Sequence, residues 1–157
     1  MRELILLRHA HAESPAAGQD DRQRPLSAVG LDEARAAGEW LRAHDLRPDR
    51  VLCSPAERTR QTFAALGALD CADVREEEAI YEASPGTLIA LADAHGDARR
   101  LMLVGHNPGL EQLAALLHSG QTSDYRGMPP SGIAVLEFAA GAAIEPGAAR
   151  LSRFWWP

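Results

Sequence analysis

The sequence contains no lysine, so all 16 of its basic residues are arginine and any anion it binds must be met by planar, permanently charged guanidinium forks. It has no basic excess either. A net charge of −6 and a pI near 5.5 exclude general attraction to nucleic acid or to an anionic membrane, which leaves only local anion binding. No apolar run approaches the ~18 residues of a membrane span, and Arg8 interrupts "LILL" before an apolar signal core of about 7 residues can form. We therefore expect a cytoplasmic protein. The two cysteines, Cys53 and Cys71, form no C-x-x-C pair and read as ordinary buried thiols in a reducing compartment. There is no internal repeat and no linker.

What is present is a globular composition, 46% hydrophobic and 24% charged, in 157 residues: enough for a single domain, 1–157, without disulfides or a structural metal. "ELILLR" (3–8) and "RLMLVG" (100–105) are near-continuous apolar runs of the kind parallel strands show when both faces are covered, and "RVLCS" (50–54) is a shorter version. "GIAVLEF" (132–138) and "RLSRFWW" (150–156) can complete the sheet, with "ADVREE" (72–77) a weaker candidate. Between them, Ser54-Pro55, Ser84-Pro85 and Asn107-Pro108 each offer an N-cap followed by proline at the first helical position. Ser54 has Glu57 three residues on, as in a capping box, and Ser27 can cap a helix whose Leu31, Ala34, Ala37 and Leu41 recur at helical spacing. Strand, tight turn, helix is thus the repeating unit. It predicts an α/β fold, a three-layer α/β/α sandwich around a largely parallel central sheet.

In such sheets ligands bind beyond the carboxyl ends of the strands. Arg8 and His9 follow the first strand, Ser54 to Arg58 the second, and His106 and Asn107 the "LMLVG" strand, so three separate segments bring two arginines and two histidines to one sheet edge. That set suits phosphoryl transfer, in which negative charge spreads over three equatorial oxygens and catalysis consists mainly of positioning and neutralising it. Arg8 and Arg58 supply forked donors, and His106, if protonated beside a dianion, adds a third cationic one. His9, with one ring nitrogen held by a backbone carbonyl, can present the other to phosphorus as a nucleophile. No metal or other cofactor is required by this scheme.

"LLRHAHAE", "RPLSAVG", "SPAERTRQT" and "VGHNPG", in that order, resemble the histidine phosphatase superfamily, and in particular its short branch of SixA-type phosphohistidine phosphatases. The resemblance runs from about residue 3 to the final strand and implies a phosphoglycerate mutase-like fold. It assigns the catalytic phosphate pocket to Arg8, His9 as nucleophile, Arg58 and His106. "IYEASP" places Glu82 where longer members carry an acidic proton donor, a residue the short branch often lacks. Asn107 is read first as an N-cap and also as a substrate contact. Ala10 and His11 stand where the larger family usually reads Gly-Glu, and no long insertion is available to build a deep lid, which fits an open pocket able to admit a phosphohistidine on a protein surface.

Other readings of the same residues are weaker. Cys53 and Arg58 are too close for the Cys-x5-Arg loop of thiol phosphatases, and Pro55 lacks an amide that such a loop needs. His9 and His11 make an H-x-H pair, but 157 residues cannot form a barrel hydrolase of about 250 and no carboxylate partner is evident. Arg60 reads as a solvated helix arginine, and Arg22 and Arg24 as ion pairs on the approach to the first helix. The expected activity is a metal-independent phosphatase acting through phospho-His9, with phosphohistidine on a partner protein as the favoured substrate. The alternatives are a phosphatase of small phosphoesters and a phosphate-binding module without turnover. The loops 12–25 and 119–132 are the expected specificity determinants. The oligomeric state is not legible in the sequence.

Overall fold

The computed structural model describes residues 1–123 and 127–157. Six strands form one sheet: β1 (Glu3–Arg8), β2 (Arg50–Cys53), β3 (Asp73–Glu76), β4 (Arg100–Gly105), β5 (Ile133–Phe138) and β6 (Ala149–Trp155). Their spatial order is β3-β2-β4-β1-β5-β6. β1, β2, β3 and β4 are mutually parallel, whereas β5 runs antiparallel to β1 and β6 antiparallel to β5. The sheet is therefore largely parallel, and the two C-terminal strands extend it on one side.

The apolar runs of the central strands are continuous because helices cover both faces. Along β1 the side chains alternate: Leu4 and Leu6 join Leu88 and Ala92 of α3 (Pro85–Ala94) and Leu110, Leu113 and Leu117 of α4 (Gly109–Ser119) in one core cluster. Ile5 and Leu7 point the other way, into a second cluster with Ala37 and Leu41 of α1 (Ala28–Ala43) and with Leu66, just beyond α2 (Glu57–Ala65). Helix, sheet, helix is thus the layer order. No helix among the described residues is long and apolar enough to cross a membrane.

Helix starts follow the sequence in two cases of four. Ser27 Oγ accepts the Gly30 amide at 3.0 Å and Ser84 Oγ the Thr87 amide at 3.2 Å, with Pro85 at the first helical position. Ser54 does not cap α2. Its amide still donates to the Val104 carbonyl at 3.0 Å, so it belongs to the sheet edge, and the helix begins only after Ala56. The expected capping box is therefore absent, and Thr59 Oγ1 closes the turn by donating to the Ser54 and Ala56 carbonyls, each at 2.8 Å. Asn107 likewise sits one residue further out than expected. Its Oδ1 accepts the Glu111 amide at 3.3 Å across Pro108.

Two 3-10 turns, Asp21–Gln23 and Glu78–Ile80, lie on the approach to the carboxyl edge of the sheet. The loop 12–25 is closed at its base by a bridge between Ala12 and Leu26. α1 can press against the segment that follows β1 because Gly30 is there: a Cβ at that position would stand 2.0 Å from the His11 carbonyl oxygen. Residues 124–126, within the 119–132 loop expected to bear on specificity, lie outside the described residues.

Candidate active site

β1 ends on Arg8, and the chain is held in place immediately after it. The His9 amide donates to the Gly105 carbonyl at 3.0 Å and the His9 carbonyl accepts the Ser131 amide at 3.2 Å, so the residue is tied to β4 on one side and to the entry of β5 on the other. His9 Nδ1 lies 2.7 Å from the Ala10 carbonyl oxygen. A carbonyl only accepts, so Nδ1 carries the proton and Nε2 keeps its lone pair. Burial, then the Arg58, Arg8 and Arg24 charges, lower the His9 pKa to about 4 in spite of the Ala10 hydrogen bond, so the ring is neutral at ordinary pH.

His106 follows β4, with its ring centroid 5.3 Å from that of His9. Its Nε2 is 2.7 Å from Ser54 Oγ, and its Nδ1 is buried without a partner. Burial, the His9 ring and Arg58 push its pKa down to about 3, against a smaller opposing pull from Asp21. The sequence reading allowed His106 a cationic role if it is protonated beside a bound dianion; without an anion, burial and the neighbouring charges favour the neutral ring.

Arg8 donates from one terminal nitrogen to the Met128 carbonyl at 2.8 Å, while its Nε is buried and unpaired. Arg58, in the first turn of α2, is 6% exposed and makes a double contact with Asp21, to the carbonyl at 2.8 Å and to the carboxylate at 3.0 Å. Its Nε too is buried and unpaired. Arg8 Nε, Arg58 Nε and His106 Nδ1 are three of the four buried side-chain N and O atoms without a partner among the described residues; the fourth is Ser131 Oγ, on the residue whose amide holds His9. Unpaired buried polar groups are costly, so such a concentration at one strand edge marks a place built for a polar ligand.

A cleft of about 470 Å³ opens beside Arg58 and His106, lined also by Asp21, Glu82, Asn107 and Gln112, whereas Arg8 and His9 are not among its lining residues. Glu82 is exposed at its rim, in a left-handed backbone conformation at φ 55°. Asn107 also lines the cleft, but its amide nitrogen is already engaged by the Glu111 carboxylate at 3.1 Å and the Met128 carbonyl at 2.9 Å. Arg60 pairs with Glu76 on the exposed face of α2, and Arg22 and Arg24 pair with Glu78 and Asp21. Among the described residues no group of three or more His, Cys, Asp or Glu is placed to hold a metal ion.

Three residues of the site were not found by sequence reasoning. Asp21 orients Arg58, and Tyr81 donates its hydroxyl to the Asp21 carboxylate while its ring meets His106 edge-on at 5.4 Å. The Tyr81 and Arg58 contacts hold the Asp21 carboxyl well below the usual carboxylate range. Arg22 lies over the Tyr81 ring at 4.2 Å, tying the 21–23 turn to the 78–81 turn. In the sequence Asp21 is indistinguishable from Asp20, and only the adjacency of Tyr81 to Glu82 marks it at all. The third is Ser54, read as a helix cap.

Known proteins share the sequence pattern and the fold. A family model described as histidine phosphatase superfamily (branch 1) matches residues 4–100. The uncharacterized protein Rv1276c of Mycobacterium tuberculosis is 42% identical over 160 residues, covering 96% of this chain and 99% of its own length. The phosphohistidine phosphatase SixA of Escherichia coli is 31% identical over 127 residues, 76% of each chain. Among solved structures, a protein of Nakamurella multipartitia provisionally assigned as a phosphohistidine phosphatase SixA superposes with a TM-score of 0.85 at 34% identity, over 99% of this chain and 96% of its own. A protein histidine phosphatase SixA complexed with tungstate superposes with a TM-score of 0.81 at 25% identity, over 99% of this chain and 97% of its own.

Proposed function

The chain belongs to the histidine phosphatase superfamily, branch 1, and from that premise we propose that it removes phosphate from phosphohistidine on a partner protein, without a metal, through a phosphoryl group carried transiently on His9. One observation carries the reading: the free Nε2 of a neutral His9 shares a strand edge with the buried, unpaired nitrogens of Arg8, Arg58 and His106. A tetrahedral oxyanion suits those nitrogens, and the related SixA structure holds one, tungstate.

In the first step His9 Nε2 forms a bond to phosphorus as the phosphorus–nitrogen bond of the substrate breaks. The departing imidazole takes the electron pair and leaves neutral because its other nitrogen is protonated. Arg8, Arg58 and His106 donate to the phosphoryl oxygens, where charge is greatest in the transition state. Phosphorylated at Nε2 and protonated at Nδ1, His9 is cationic, and the Ala10 carbonyl stabilises that charge. Water then attacks phosphorus, its protons pass to phosphate and solvent, and the electron pair returns to Nε2.

Transfer between two imidazoles is close to balanced in energy and asks little of a general acid. A phosphoester differs, since an alkoxide leaves poorly without a proton. The position of Glu82 on the cleft rim favours that second reading, a small-molecule ester phosphatase. A binding module without turnover would need the arginines but not a nucleophile poised by a carbonyl. The deciding experiment is phosphate release from a phosphohistidine-bearing protein in EDTA, wild type against His9→Ala. Multiple turnovers by the wild type alone support the proposal. Release by neither favours the ester or binding readings, and release by both removes His9 as nucleophile.

A further inference from the structure

Ser54 is fully buried at the end of β2, where neither helix capping nor sheet pairing accounts for its hydroxyl. Its backbone is fixed on both sides, the amide on Val104 and the carbonyl under the Thr59 hydroxyl. The side chain has little freedom either. Oγ stands 2.7 Å from His106 Nε2 and accepts a long hydrogen bond, 3.5 Å, from the Ala56 amide.

From this arrangement we infer that Ser54 is a positioning residue that sets the tautomer of His106, donating its hydroxyl proton to Nε2 so that the ring proton resides on Nδ1 and faces the phosphate pocket. The argument is one of donors and acceptors. The Ala56 amide can only donate, so it occupies a lone pair of Oγ and leaves the hydroxyl proton to be placed. His106 Nε2 is the acceptor the structure offers it. A nitrogen that accepts from Ser54 cannot itself carry a proton, and a neutral imidazole has only one, which must therefore be on Nδ1. That is the atom found buried without a partner. The opposite tautomer would turn a lone pair toward phosphate oxygens and repel them, as wrong-tautomer histidines do elsewhere. Burial of the ring and the Arg58 charge beside it favour the neutral form for which the choice of tautomer matters.

His9 and His106 then form a complementary pair. Both then carry the proton on Nδ1, yet for His9 that nitrogen meets the backbone and leaves Nε2 free as a nucleophile, whereas for His106 it is the nitrogen left without a protein partner and so available as a donor. One residue type is set to opposite tasks by which ring nitrogen meets a protein partner.

The inference rests on the phosphate-pocket reading only for the purpose of the Nδ1 proton, not for its location. The test is the long-range nitrogen–proton NMR pattern of His106 in histidine-labelled protein without ligand, in wild type, Ser54→Ala and Ser54→Thr. The Nδ1–H pattern is expected in the wild type and in Ser54→Thr, which keeps the hydroxyl, with a mixture or the Nε2–H pattern in Ser54→Ala. An Nε2–H pattern in the wild type overturns the inference even if the alanine variant does not fold, and so does an unchanged Nδ1–H pattern in Ser54→Ala. In turnover, Ser54→Ala should lower kcat by about 10- to 100-fold, by analogy with the loss when partners that orient metal-binding histidines are removed, with Ser54→Thr restoring most of it. Inorganic phosphate added to the wild type should shift the Nδ1 resonance. Absence of that shift with the Nδ1–H pattern intact would count against the phosphate pocket and leave the Ser54 assignment standing.

Discussion

Arg58 and Asp21 are joined twice, one terminal nitrogen of the guanidinium donating to the Asp21 carbonyl at 2.8 Å and the other to its carboxylate at 3.0 Å. The arginine expected to meet phosphate is thus already held by an anion. This is less a contradiction than a division of the fork: Asp21 takes donors from the two terminal nitrogens, while Nε remains buried and unpaired on the same side chain. Asp21 is in turn fixed by Tyr81 and Arg24, so the direction of Arg58 is set by a network before substrate arrives.

A negative charge beside a phosphate pocket has a cost that can be measured. Asp21→Asn keeps an oxygen for Arg58 and removes the charge, so inorganic phosphate should bind more tightly, by about 1 kcal/mol or about fivefold in its inhibition constant. The change should shrink as salt is raised, since the Asp21 side chain is 46% exposed. Weaker phosphate binding in the variant would mean that orientation of the fork outweighs the charge.

The two site histidines should make stability depend on pH. Both have folded-state pKa values well below the ordinary one, about 4 for His9 and about 3 for His106. In the unfolded chain each titrates near 6.5, so between 6.5 and about 4 the unfolded state binds more protons than the folded state. The stability that comes from keeping them neutral is therefore present above 6.5 and lost as pH falls. The loss should be about 2 kcal/mol per histidine between pH 7 and pH 5 in the ligand-free protein. Urea unfolding at a series of pH values checks this, and His9→Ala and His106→Ala should each flatten the slope. Imidazole proton resonances that titrate near 6.5 in the folded protein would remove the basis of the prediction.

Glu82 separates the two substrate classes. If it serves as proton donor to an ester oxygen, Glu82→Gln should lower kcat on an alkyl phosphate by about 10²- to 10⁴-fold, the usual worth of general acid catalysis. It should change turnover of a phosphohistidine-bearing protein by less than about fivefold, because an imidazole leaves without that proton. Equal losses on both substrates would show that Glu82 shapes the cleft and does not act as an acid.

The sheet was legible because its strands are written as apolar runs, and a chain of this length has few ways to cover both faces of such a sheet. All six strand segments expected from the sequence are strands in the structure. The edge to which Arg8, His9, Arg58 and His106 are delivered followed from the same pattern, since it is fixed by where strands end. What the sequence could not show was which side chains face one another across separate turns. Ser54-Pro55 has the form of a helix start, but its hydroxyl is claimed by a histidine 52 residues away. Asp21 and Tyr81 meet only because two short 3-10 turns converge, and neither turn carries an apolar period that marks its position. Contacts of long sequence separation made by single polar side chains leave no local signal.

The turn that carries Glu82 owes its position to a glycine on another element. A Cβ at Gly109, the first residue of α4, would stand 2.4 Å from the Ala83 carbonyl oxygen, a backbone atom that cannot swing aside. Gly109→Ala must therefore push the 82–84 segment away from α4 or shift the start of the helix itself. The overpacking should cost about 1–3 kcal/mol in urea unfolding. Arg8, Arg58 and His9 belong to other elements, so where the 82–84 segment gives way and not the helix start that follows His106, affinity for inorganic phosphate should change by less than about threefold in the folded variant. Ester turnover should fall, because a misplacement of about 1 Å can cost 10²-fold when a group must reach a reacting atom. A variant with normal stability and normal ester turnover would show that the close approach of α4 to this turn does not position Glu82.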